Sequence, residues 1–249
     1  NIKISKYGGV IMPYYKNEIK NYIENKLKNI KKKIYTKVAP LEARAWISKE
    51  PLSFEDRFEG KEKKIKTGDQ WGELWSCAWF NFTGTVPKKA EAEKVVLLID
   101  LSGEGCVVDE SGSPIRGLTT VSSTFDRSLG EPGKRVVQFL DSAAGDEKVD
   151  IWVDAANNDL FGNFKNDGVL EEASIAVCNQ NYRELYYDFK ILYLLMETLD
   201  SDSARCHSLL YNLEEAAEII KDYTDQEAKK ARKILKKELN KNNGDHSLA

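Results

Sequence analysis

From residue 40 to residue 179 the chain is written as short β-prone runs punctuated by turns, and no long helical pattern interrupts them. That stretch holds most of the glycine and proline. Candidate strands lie at 41–48, 74–82, 94–101, 106–109, 135–140, 148–153 and 173–178. Many short strands at such spacing predict an antiparallel β-sandwich, jelly-roll-like in outline. Val95-Val-Leu-Leu-Ile99 is a continuous apolar run, the pattern of a central strand covered on both faces. In Trp75-Ser-Cys-Ala-Trp-Phe80 the side chains alternate, which places Trp75, Cys77 and Trp79 on one face. Residues 61–70 are charged and contain glycine, so an exposed loop is expected there.

Both flanks change period. From Pro13 to about Lys33, Ile19, Tyr22, Ile23, Lys26, Leu27 and Ile30 recur at three-to-four spacing, a helix with one face to bury. Pro13 suits its first turn, and Lys31-Lys-Lys33 suits its C-terminal dipole end. After residue 179, Tyr182, Leu185, Tyr186, Phe189, Leu192, Tyr193, Met196 and Leu199 make a broad apolar face. Asn181 and Glu184 resemble its N-terminal cap. Ser201-Asp-Ser203 opens a second helix to about Lys221. Thr224-Asp-Gln-Glu227 forms a capping box for a third, ending near Asn243-Gly244. The expected organisation is a helical segment at 1–35, a β-sandwich domain at 36–179 and a helical linker at 180–249.

Composition narrows the function classes. The 249 residues are 41% hydrophobic and 31% charged, ordinary values for a soluble protein. A net charge of −3 gives no electrostatic reason to expect nucleic acid or an anionic membrane as partner. No apolar run approaches the roughly 18 residues of a membrane span. Asn1-Ile-Lys-Ile-Ser-Lys carries no signal-peptide core, so a cytoplasmic location is expected; the missing initiator Met points to a trimmed chain. Cys77, Cys106, Cys178 and Cys206 are scattered, which suits reduced, small apolar side chains better than a zinc knuckle or disulfide framework.

Catalytic patterns are missing from the sequence. His207 and His246 are the two histidines, and neither sits in a His-x-x-x-His, His-Glu or Cys/His cluster. Gly103-Glu-Gly105 is followed by a strand rather than by the helix N-terminus that binds phosphate. Trp71, Trp75 and Trp79 form a candidate sugar-stacking platform, because aromatic faces suit the C–H-rich surface of a pyranose. Burial in the core is the preferred reading of the same residues. Asp150, Asp154, Asn157, Asn158 and Asp159 offer oxygen ligands for Ca²⁺, yet match no calcium-loop spacing, and Asx turns account for them. Asn81-Phe-Thr83 fits a glycosylation sequon, which carries little weight without a secretory signal.

Three segments taken in order carry a resemblance. They are Gly68-Asp-Gln-Trp-Gly-Glu-Leu-Trp-Ser-Cys-Ala-Trp-Phe-Asn-Phe-Thr-Gly-Thr-Val-Pro87, the strand-turn-return Val107-Val-Asp-Glu-Ser-Gly-Ser-Pro-Ile-Arg-Gly-Leu-Thr119, and Asp150-Ile-Trp-Val-Asp-Ala-Ala-Asn-Asn-Asp-Leu-Phe-Gly162. Together they resemble the N-terminal domain that precedes the catalytic domain in family 38 glycoside hydrolases, the bacterial and vacuolar-type α-mannosidases. The resemblance covers the chain from about Pro40 onward. It implies a parent enzyme that is a retaining α-mannosidase holding zinc in its sugar site, with one aspartate as nucleophile and a second carboxylate as acid/base. In such relatives a His-x-His-x-Asp motif opens the catalytic domain after a helix and a loop resembling residues 242–249. His246 has no second His two positions on and no following Asp, so no catalytic or zinc-binding residue carries over to this chain. The fragment is therefore expected to be inactive and zinc-free, with its own catalytic domain, α-mannose-containing oligosaccharides and a homo-oligomer as expected partners. A free-standing carbohydrate-binding or oligomerisation sandwich is the alternative.

Overall fold

A computed structural model describes residues 13–119, 134–158 and 167–241. They divide into two compact units, one of residues 36–178 and one that joins residues before 36 to residues after 178.

The first unit is a β-sandwich, with twelve strands among the described residues. They are β1 Tyr35–Pro40, β2 Glu42–Ser48, β3 Lys61–Ile65, β4 Gln70–Glu73, β5 Cys77–Thr85 and β6 Val95–Asp100, then β7 Glu104–Val108, β8 Pro114–Thr119, β9 Val136–Leu140, β10 Lys148–Ala156, β11 Asp167–Val169 and β12 Glu172–Cys178. One sheet runs β1-β12-β6-β9 and the other β3-β2-β5-β10-β7-β8, with β11 and β4 forming a short separate pair. The neighbours β2–β5, β5–β10, β10–β7 and β7–β8 are antiparallel, as are β12–β6 and β6–β9. Alternation decides the core: Phe80 and Phe82 from β5, Val153 from β10, Leu97 and Ile99 from β6 and Ile175 from β12 meet between the sheets. Each such side chain removed from water contributes about 1.5–3 kcal/mol. All five residues of the Val95–Ile99 run are buried, as its pattern requires.

Three local expectations need correction. Residues 61–70 are not simply a loop, because Lys61–Ile65 pairs with β2 as the edge strand β3. Its first four side chains are exposed and mostly charged, which protects an edge from further pairing and hides the strand's period. Trp75 does not continue β5; it sits in the preceding turn at φ 69°. The cap of the helix after β12 is Asn179, whose side chain accepts from the Tyr182 N–H at 3.1 Å, while Asn181 bonds to Asp225.

The second unit contains α1 Pro13–Lys32, α2 Gln180–Thr198, α3 Ala204–Ile219 and α4 Asp225–Leu239. The described helices before residue 36 and after residue 178 thus share one compact unit. Ile19, Ile23 and Ile30 of α1 are buried, as are Leu185, Phe189, Leu192 and Met196 of α2. Ser203 caps α3, and Thr224 with Glu227 closes the capping box of α4. Ion pairs fix the helix faces: Arg232 of α4 reaches Glu184 and, at 2.7 Å, Asp188 of α2. Arg205 and Asn212 of α3 both hold the buried Glu238 carboxylate of α4, at 2.7 and 2.8 Å. The expected end of the third helix near Asn243-Gly244 lies outside the described residues, as does His246.

Candidate functional site

The face of the six-stranded sheet turned away from the core carries the structure's densest set of aromatic side chains. Strand register builds it. Trp46 of β2 lies opposite Trp79 of β5, and Trp152 of β10 lies opposite Asn81 of β5 and Val108 of β7. Residues 49–60 fold back over these rings. Leu52 accepts the Trp79 indole N–H at 3.0 Å, and Phe54 meets the Trp79 ring edge-on at 5.4 Å. Phe58 stands perpendicular to both Trp46 and Trp152, with centroids 5.2 and 5.6 Å away.

Arg57 crowns the cluster. Its guanidinium lies 3.8 Å from the Phe54 ring centre, 4.5 Å from Phe58 and 4.7 Å from Trp152. Nη1 donates to the Phe54 carbonyl, whereas Nε is shielded from solvent and has no partner. Beside it opens a groove of about 700 Å³ lined by Phe54, Arg57, Asp109, Ser111, Ile115 and Trp152 among others.

The far wall is the β7–β8 turn, shaped by its own side chains. Asp109 accepts from the Ser111 N–H at 2.8 Å, the Ser111 hydroxyl at 2.7 Å and the Ser113 N–H at 2.9 Å. The Ser111 and Ser113 bonds hold its carboxyl below the ordinary value, so it stays ionised. Gly112 takes φ 82°, and a Cβ there would come within 2.7 Å of Phe54. Only glycine lets this turn close onto the folded-back segment. On the floor, Asp150 accepts from Asn81 Nδ2 at 2.7 Å.

A second depression on the same face, about 380 Å³, holds Glu104, Cys106, Lys134 and Asp154. Desolvation raises the Asp154 carboxyl and the Cys77 and Cys106 thiols, so neither thiol is a ready nucleophile.

The three tryptophans read from sequence do not share a surface. Trp71 is 3% exposed in the core, donating its indole N–H to the Leu101 carbonyl at 2.9 Å. Trp79 is 5% exposed beneath residues 49–60, and Trp75 is 64% exposed in its turn. Trp46, Trp152 and Arg57 were not singled out by sequence; the signal for them was Trp46 and Trp152 on the outward register of two strands. The described residues of the oxygen-rich loop do not gather into a cage. Asp150 bonds to Asn81, Asn158 bonds to Glu104 at 2.8 Å, and the buried Asn157 ties the chain through its backbone to Trp75 and Ser76. Asp159 lies outside the described residues. Among the described residues no group of three or more His, Cys, Asp or Glu is placed to hold a metal ion. His207 is partly buried on α3, with no partner for Nε2. Among them too, no helix is long and apolar enough to cross a membrane.

A family profile described as the jelly roll domain of α-mannosidase matches residues 39–191. This chain belongs to that family. The matched stretch runs from β1 through the whole sandwich into α2, and so includes every side chain of the aromatic cluster. Alpha-mannosidase G of Dictyostelium discoideum is similar, 26% identical over 167 residues, which cover 63% of this chain. The chain spans only 14% of the length of that relative.

Proposed function

We propose that this chain is the non-catalytic jelly-roll portion of a zinc-dependent, retaining α-mannosidase that hydrolyses α-mannosides in oligosaccharides. The observation that carries the reading is the family match over 39–191, which coincides with a continuous two-sheet sandwich. Among the described residues no side-chain cluster fits a zinc site. Zinc, nucleophile and acid/base belong to a catalytic domain outside this chain, and the 249 residues alone hydrolyse no mannoside. The helical unit docks on that catalytic domain or on a second copy; the exposed Tyr187, Ile191 and Leu194 along one side of α2 support this. The parent works in the cytoplasm, and its partners are α-mannose-containing oligosaccharides rather than nucleic acid or membrane, in keeping with the net charge of −3.

The reading frame downstream of Ala249 tests this. A His-x-His-x-Asp motif within a few tens of codons is expected. A frame that continues for several hundred codons without one would sink the proposal.

A further inference from the structure

We propose that the groove between Arg57 and the β7–β8 turn is a glycan-binding site, and that its ligand is a neutral α-mannoside oligosaccharide. The choice of mannose rests on the proposed parent activity; the choice of a pyranose rests on the groove itself.

Its chemistry is mixed in the way a sugar needs. Trp152 and Phe54 supply ring surface at the floor, and Ile115, 63% exposed, supplies an apolar lip on the edge strand β8. Pyranose C–H faces pack on such surfaces. The polar groups of its lining are the carboxylates of Asp109, Glu110 and Asp150, the Ser111 hydroxyl and the Arg57 guanidinium. Carboxylates accept from vicinal hydroxyls and Arg57 donates to them, so hydroxyl-rich ligands satisfy both kinds of group at once. Three acids against one base disfavour a phosphate-bearing or nucleic-acid ligand.

The site is also pre-formed. Arg57 is locked by three aromatic rings and by the Phe54 carbonyl. The opposite wall is fixed by the three hydrogen bonds to Asp109 and by Gly112 against Phe54. Rigid walls reduce the ordering cost of binding a weak, solvated ligand.

The test uses the whole 249-residue chain, titrated with α-mannotriose and separately with maltotriose, and read by tryptophan emission and calorimetry. Expected is saturable mannotriose binding at about millimolar Kd, weakened tenfold or more by Arg57→Gln and by Ile115→Asp. Ile115 is exposed on an edge strand, so Ile115→Asp keeps the fold even where Arg57→Gln disturbs residues 49–60; thermal unfolding of each variant checks this. Trp75→Ala, in a turn outside the groove, leaves binding unchanged. Three results overturn the proposal: no saturation by either sugar, saturation insensitive to both groove variants, or loss only with Trp75→Ala. Binding of maltotriose in place of mannotriose retains the groove but overturns the mannoside assignment. Silence toward both sugars from a chain whose parent cleaves mannosides overturns the groove while sparing the proposed activity.

Discussion

Replacing Trp71 by alanine separates a core tryptophan from a sugar platform. The indole is 3% exposed, meets the Phe80 ring edge-on at 5.3 Å, and donates to the Leu101 carbonyl at 2.9 Å. Gly168 is packed so tightly on it that a Cβ there would lie 2.7 Å from the ring. Truncating a side chain of this size in a core costs about 3–5 kcal/mol. The Leu101 carbonyl, stripped of its donor inside the sandwich, moves Trp71→Ala to the upper end of that range. Trp75→Ala, by contrast, removes a side chain that is 64% exposed and should change stability by about 0.5 kcal/mol or less. Urea unfolding followed by far-ultraviolet circular dichroism reads both. The Trp71 variant should lose roughly 1–2 M in midpoint at unchanged slope, with the Trp75 variant superimposed on wild type. A Trp71→Ala midpoint within error of wild type, or a large shift for Trp75→Ala, would refute this reasoning.

Glu238→Ala should cost about 1–3 kcal/mol, because it removes the carboxylate that Arg205, Asn212 and Lys241 share; differential scanning calorimetry of this variant and of Glu238→Gln, expected to be milder, checks it. The Glu227 carboxyl is held at about 2 by the Thr224, Asp222 and Lys221 N–H groups, below its ordinary value of 4.5. A depressed folded value means the contribution is complete above about pH 4.5 and is lost as pH falls toward about 2. Helical circular dichroism should therefore decline through that window, and Glu227→Gln should flatten the decline.

Much of the sandwich was readable because its strands bury one face or both. The Val95–Ile99 run carries the pattern of a covered strand, the Cys77 and Trp79 part of the expected alternation falls in β5, and the β7–β8 hairpin announces itself through Asp109, Ser111 and Gly112. The edge strand β3 was not readable, since charges protecting an edge look the same as charges in a loop. Trp75 was misplaced because nothing local reveals a tryptophan at positive φ; tertiary bonds from its N–H to Asn157 hold it there. The family resemblance was legible in three separated motifs. The groove was not, because Phe54, Arg57, Asp109 and Trp152 come from separate strands and loops that only the tertiary fold brings together. The helices were visible one by one, while their joining into one body rests on contacts far apart in sequence, such as Arg232 with Asp188, 44 residues apart.

The most direct test of the central claim is hydrolysis by the complete gene product. Purified full-length protein should release mannose from α-mannosides with retention at the anomeric carbon and carry one zinc per chain. A chelator should abolish turnover, and added zinc should restore it. A full-length protein that binds no zinc and cleaves no α-mannoside would contradict the account.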